Sequence, residues 1–225
     1  MLRHAAVVLA VVTALAGCSS STTTHPVTTP KPVPAAALDG LLPSVADASA
    51  VMGAPMTPHK AFSTTSDHRD LLPNLNCLGI WQIGETAIYG PSGFTGLRGQ
   101  VLRSPDTEVW NFFVIQAVAS YASVAAARKF FADSADRWDK CSNHRVNMIS
   151  VGQRQSTTFL FGALNKTDTE LTIPVNSTGV GGRACQRALA VDNNVIIDVA
   201  ACGLTIGDQA SSLVSKIEAA IPAKS

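Results

Sequence analysis

The sequence predicts a single α+β domain, a mainly antiparallel sheet packed with about three helices and held by two disulfides. Three observations carry that expectation. Short runs rich in Val, Ile, Phe and Thr, bounded by Gly, Pro and Asn, recur between residues 78 and 203, as antiparallel strands do. Two stretches repeat apolar residues at helical spacing, and a third, shorter one carries helix start and stop signals. Four cysteines beyond the N-terminal region form an even set in a chain that begins like an exported protein, and that combination points to paired sulfurs.

The N-terminus sets the context. Arg3 and His4 precede an apolar run from Ala5 to Ala16, shorter than the ~20 residues a spanning helix needs. Followed by Leu15-Ala16-Gly17-Cys18, it reads as a cleaved secretory signal, residues 1–17, ending in a lipobox. Cys18 is then the expected lipidation site, and two or more acyl chains give stable anchorage. The alternative is an ordinary signal peptide with a chance cysteine. Residues 18–37 continue as a Ser/Thr/Pro-rich tether with almost nothing apolar to bury, so ordering entropy keeps it extended. At ~3.1 Å per residue it holds the domain up to about 50 Å from the membrane. Residues 38–225 make the domain.

Within the domain, Ser44 to Met52 reads as a short helix, with a Ser44/Asp47 capping box and Gly53 as the stop. Residues 54–76 are loop-rich, with Pro55, Pro58 and Pro73. Strands are expected at Leu78–Tyr89, Leu97–Arg103 and Val109–Ala119, the last almost continuously apolar, like a central strand covered on both faces. Ser120 to Cys141 is the clearest helix, since Val124, Ala127, Phe131, Ser134, Trp138 and Cys141 recur at spacings of three and four. Asp133, Asp136 and Asp139 fall on its other faces and read as solvated. Shorter strands follow at Val146–Ser150, Thr157–Leu164 and Glu170–Val175, then a turn at Gly179–Gly182. A hairpin, Arg183–Val191 and Val195–Cys202, precedes a final helix from Asp208 to Ile221.

The hairpin sets the disulfide pairing. Asn193-Asn194 suits a two-residue type I′ loop, because asparagine tolerates the left-handed region. Counting outward from 192/195 brings Cys185 opposite Cys202 in a non-hydrogen-bonded pair, where Cα atoms sit ~4.5 Å apart, within disulfide reach. Cys77–Cys141 follows by elimination.

Composition excludes some functions. Without Arg3 the basic and acidic residues balance at 16 each, so no basic face for nucleic acid is expected. The N-terminal lipid is the expected membrane attachment. No GxSxG, P-loop, GxGxxG, HExxH or CxxC motif occurs. His59, His68 and His144 stand without a second ligand at zinc spacing. Neither metal nor cofactor is expected, and no catalytic set emerges. Three side chains remain as candidate ligand contacts. Arg183 and Arg187 alternate with Cys185 on one hairpin face, where two guanidiniums can receive an anion. The competing reading pairs Arg187 with Asp198, which lies diagonal to it. Trp81 is the third; the competing reading places both Trp81 and Trp110 in the core, where either could line a pocket.

Several stretches together carry a family resemblance: the lipobox, the Thr/Pro tether, LLPSVADASAVMG, RWDKCSN at the end of the long helix, and RACQRALAVDNNVIIDVAACG. From Leu38 to Ile221 the chain resembles the PknH-like extracellular domain found in mycobacterial envelope lipoproteins and as the external sensor of a serine/threonine kinase. The resemblance implies a mixed α/β domain with an antiparallel sheet, disulfides joining first to second and third to fourth cysteine, and a ligand cleft. It supplies neither ligand nor catalytic residues. The sequence carries no kinase motifs, so inward signalling is expected to need a partner. The expected function is a non-enzymatic, sensor-like lipoprotein on the outer side of the cytoplasmic membrane or in the cell wall, binding a small envelope-derived molecule or a partner protein. The rivals are an envelope hydrolase or transferase with unidentified residues, and a purely structural or antigenic surface protein.

Overall fold

The strands of this chain assemble into one nine-stranded antiparallel sheet. In this computed structural model residues 31–149, 156–178 and 182–222 are described. The signal peptide, Cys18, most of the tether and most of the Gly179–Gly182 turn lie outside them. The strands are β1 (Thr57–Phe62), β2 (Phe94–Ser104), β3 (Phe112–Tyr121), β4 (Arg145–Ile149), β5 (Ser156–Phe161), β6 (Asn165–Lys166), β7 (Glu170–Thr178), β8 (Ala184–Asp192) and β9 (Val195–Gly203). Their spatial order is β1-β2-β3-β9-β8-β7-β5-β4, with the short β6 also paired to β7.

The two most apolar strands sit at the centre because both faces of the sheet are covered. One face carries α2 (Leu75–Trp81), α3 (Thr86–Tyr89) and α4 (Val124–Cys141). The other carries a 3-10 helix at Ala35–Leu41, α1 (Val45–Met52) and α5 (Gln209–Ala220). On β9, Ile196 and Ala200 join the first core, and Val195, Ile197, Val199 and Ala201 join the second. That double burial removes the alternation a half-exposed strand would show. The two amphipathic helices expected from the sequence bury their apolar stripes. Ala127, Phe131, Ser134, Trp138 and Cys141 of α4 are buried, as are Ala210, Leu213, Val214 and Ile217 of α5.

Several expectations need correction. Leu78–Tyr89 is not a strand: it holds most of α2 and all of α3, broken at Gly84, whose φ is +71°. Asn74 starts α2 by accepting from the Asn76 N–H at 3.0 Å. The disulfide from Cys77 to Cys141 then clamps α2 against α4, so tertiary packing overrides the local β-propensity. Residues 57–62 are not loop but the edge strand β1, whose residues are exposed save half-buried Phe62, leaving no alternation to read. Pro58, Lys60 and a bulge between them are the features that keep an open edge from pairing further. The long helix begins at Val124, because Ser123 caps it through the Ala126 N–H at 3.2 Å and Ser120 and Tyr121 finish β3. Val109 precedes β3 in an exposed loop.

The hairpin register is the one expected, Asp192 opposite Val195 and Cys185 opposite Cys202. The bridge Cys185–Cys202 forms with the Cα atoms 4.0 Å apart. Only Asn193 of the loop takes a left-handed conformation, φ +51°, so the loop is not type I′. Asn194 is held instead by its amide, which donates to the Val33 carbonyl (3.0 Å) and the Tyr121 carbonyl (2.6 Å) and accepts from the Val33 N–H (2.7 Å). The end of the expected tether is thereby docked on the domain. Lys31 is bonded by Asn193, and Val33 is buried.

Candidate functional site

A cleft of about 270 Å³ opens at the disulfide end of the hairpin, among β3, β5, β7, β8, β9 and the end of α2. All three candidate residues, Trp81, Arg183 and Arg187, line it, together with Trp110 and the Cys185–Cys202 bridge. The pleat explains the convergence. Arg183 and residues 185 and 187 of β8 leave the same face, which meets α2 and α4 rather than α5.

The walls are aromatic. Trp81 and Phe159 meet edge to face at 6.2 Å, and Trp110 stacks on Phe113 at 5.0 Å. The Arg183 guanidinium lies over Trp110, 5.3 Å from the ring centroid, and donates to the Trp110 carbonyl at 2.7 Å. One wall thus offers a cation on an aromatic platform, an arrangement that suits an anionic or hydroxylated group. Gln82, Thr157 and Ser177 add polar atoms to an otherwise apolar lining.

Arg187 lines the cleft but follows the competing reading, its guanidinium paired with a carboxylate. It is buried, paired with Asp198 at 2.7 Å. Its Nε donates to the Ile80 carbonyl (2.7 Å), Nη2 to Gly79 (3.2 Å), and Nη1 to Val199. Four of its five N–H groups are therefore spent inside the protein, and its Cζ lies over the Trp138 ring, 5.6 Å from the centroid. Tyr89 donates to the other Asp198 oxygen at 2.8 Å. Burial pushes the Asp198 carboxyl above its ordinary range, against the opposing pull of Arg187 and Tyr89. Burial, and then the Asp198 charge, push the Tyr89 phenol well above 10. The network closes the cleft floor and fixes the end of α2, which carries Trp81.

A second support escaped the sequence. Glu85 is wholly buried, and its carboxylate bonds the His68 ring Nδ1 and accepts the His68 N–H at 3.1 Å. The His68 ring meets Trp81 edge on at 5.8 Å, bracing that wall from behind. His68 lies in a stretch without periodicity and Glu85 in a misassigned strand, so no spacing linked them. Phe159 was legible only as an alternating strand position. Among the described residues no three His, Cys, Asp or Glu side chains converge as a metal site.

Fold and site together define a disulfide-framed α+β domain with one aromatic-walled cleft of small-molecule size and a cation at its edge. Residues 33–220 match the model of the PknH-like extracellular domain, and the chain belongs to that family. The serine/threonine-protein kinase PknH of Mycobacterium tuberculosis (strain ATCC 25618 / H37Rv) is 30% identical over 214 residues, covering 95% of this chain and 34% of the kinase. The Mycobacterium bovis PknH is likewise 30% identical, with 35% of it covered. The chain thus spans about a third of these relatives' length. The crystal structure of the extracellular domain of PknH from Mycobacterium tuberculosis superposes with a TM-score of 0.77 at 29% identity, covering 84% of this chain and 96% of that domain. The domain is therefore of the PknH-like extracellular type, which implies an extracytoplasmic location.

Proposed function

We propose that this chain is a lipid-anchored, non-enzymatic binding protein of the cell envelope, and that its cleft takes a small envelope-derived amphiphile. The observation that carries the reading is the convergence of Trp81, Trp110 and Arg183 on one cleft. Indole faces give large, rigid contact area, and a few polar groups in an apolar pocket fix a ligand's orientation. The volume, at the low end for ligand pockets, suits one sugar ring or a short acyl segment with an anionic or hydroxylated head beside Arg183. Cys18 supplies the anchor in this reading, and its replacement by Ala is expected to release the protein into soluble fractions.

The test is a thermal-shift screen of envelope lipids, glycans and muropeptides. A ligand at 100 times Kd adds ~2.7 kcal/mol, or about 5–10 °C for a domain of this size. The shift should vanish in Trp110→Ala with the unliganded melting temperature little changed. No shift with any fraction overturns the reading. A shift only with a protein fraction makes a partner protein the occupant.

A further inference from the structure

We propose that the Cys185–Cys202 bridge is a thiol–disulfide exchange site, open through the cleft to a small anionic thiol. The two bridges of this domain differ in access. Cys77 and Cys141 are each 0% exposed and sit between α2 and α4. Cys185 is only half-buried, Cys202 retains 7% exposure, and both line the cleft. Exchange requires a thiolate to reach a sulfur, so access decides which bond reacts. Cys185, the more open of the two, is the point of attack.

Electrostatics favours the same bridge. Arg183 precedes Cys185 by two residues on one face of the hairpin, and its guanidinium stays at the cleft, over Trp110. A nearby cation stabilises thiolate over thiol and draws in a negatively charged reagent. Arg187, neutralised by Asp198, adds no net charge. The incoming thiolate bonds to Sγ of Cys185, the Cys185–Cys202 bond breaks, and Cys202 leaves as thiolate and takes a proton from water. The mixed disulfide then has two fates. Cys202 can attack it, restoring the bridge and returning the small thiol unchanged. Alternatively a second small thiol attacks its own sulfur, leaving two protein thiols and one oxidised reagent dimer. Neither fate needs a further oxidant or reductant. The proposal stands on access to the cleft and on the Arg183 charge beside it, whatever the noncovalent ligand.

The full chain is treated under native conditions with 2-mercaptoethanesulfonate or with cysteamine, at matched thiolate concentration. Aliquots are quenched with an alkylating agent and mapped by mass spectrometry. The expected result is an adduct on Cys185 and alkylated Cys202 while Cys77–Cys141 stays intact, with the first bridge opening at least tenfold faster. The sulfonate should react faster than cysteamine, and added salt should narrow that gap. Opening of Cys77–Cys141 first, or of both bridges together, overturns the proposal, as does faster reaction with cysteamine. A reactive bridge with no thermal-shift ligand would separate this outcome from failure of the binding reading.

Discussion

Arg187 shows how one residue type can serve structure where chemistry suggested binding. An ion pair out of water stands only when its remaining hydrogen bonds are filled. Here Asp198, Tyr89 and three carbonyls from α2 and β9 fill them. Removing one member strands the other. Arg187→Met is expected to destabilise by about 3–5 kcal/mol, because Asp198 is left charged and buried. Asp198→Asn should lose less, since Tyr89 keeps an acceptor. The double substitution should lose less than the two singles combined, and urea denaturation of all four proteins checks that coupling. Equal, additive losses would mean the pair is not the unit described. The competing reading of Arg187 was legible because the hairpin register fixes the diagonal to Asp198. The three carbonyl partners were not, because two of them lie more than a hundred residues away in sequence.

At the scale of elements, the helix caps and the hairpin loop carry separable predictions. Ser44 accepts the Asp47 N–H at 3.1 Å and donates to its carboxylate at 2.6 Å, while Lys216 of α5 reaches Asp47 at 3.0 Å. The Ser44 bond first, then Lys216, holds the Asp47 carboxyl below its ordinary 3.8. A folded pKa below the unfolded one gives stability that is full above pH 3.8 and lost as pH falls through the lowered value. Thermal melts from pH 6 to 2 should therefore show a shallower acid decline for Asp47→Asn, and identical acid limbs would contradict it. Asn194 has a larger role. Its amide acts as a peptide group toward Val33 and Tyr121, so Asn194→Ala leaves three buried backbone groups unpaired. The expected loss is about 2–4 kcal/mol, and hydrogen exchange should show early opening at Val33 and the 3-10 helix after it. The capping box was readable from four adjacent residues. The grip on Val33 was not, since it joins positions 161 apart.

For the whole molecule, the two bridges divide the work. Cys77–Cys141 spans a separation of 64 residues and staples α2 to α4 over the sheet. Replacing both with Ala should cost about 4 kcal/mol on the chain-entropy model, measured by urea denaturation. It should also loosen Trp81 at the far end of α2, read as weaker cleft binding. Cys185–Cys202 closes a short loop whose strands are already paired along their length, so its loss should weaken the fold less. The first and last of the described residues meet at the opposite pole from the cleft: Lys31 to Pro34, Ala220 and Pro222 border one groove, beside the hairpin loop. A nine-residue strand at ~3.4 Å per residue puts that pole roughly 27 Å from the bridge. An anchor on the N-terminal side would then leave the cleft mouth facing outward.

Local pattern alone determined the fold class, the long and final helices, the central strands, the hairpin register and with it the Cys185–Cys202 bridge, which left Cys77–Cys141 by elimination. Those features depend on residues near one another in sequence, where periodicity and turn chemistry act directly. Tertiary structure alone decided the rest. It folded 75–89 into helices because a disulfide and α4 hold them there, paired exposed β1 to the sheet edge, and seated the tether's end in an asparagine's grip. It gathered Trp81, Trp110, Phe159 and Arg183 around one cleft. Each of these rests on contacts between distant segments, whose energy exists only after the chain has closed on itself.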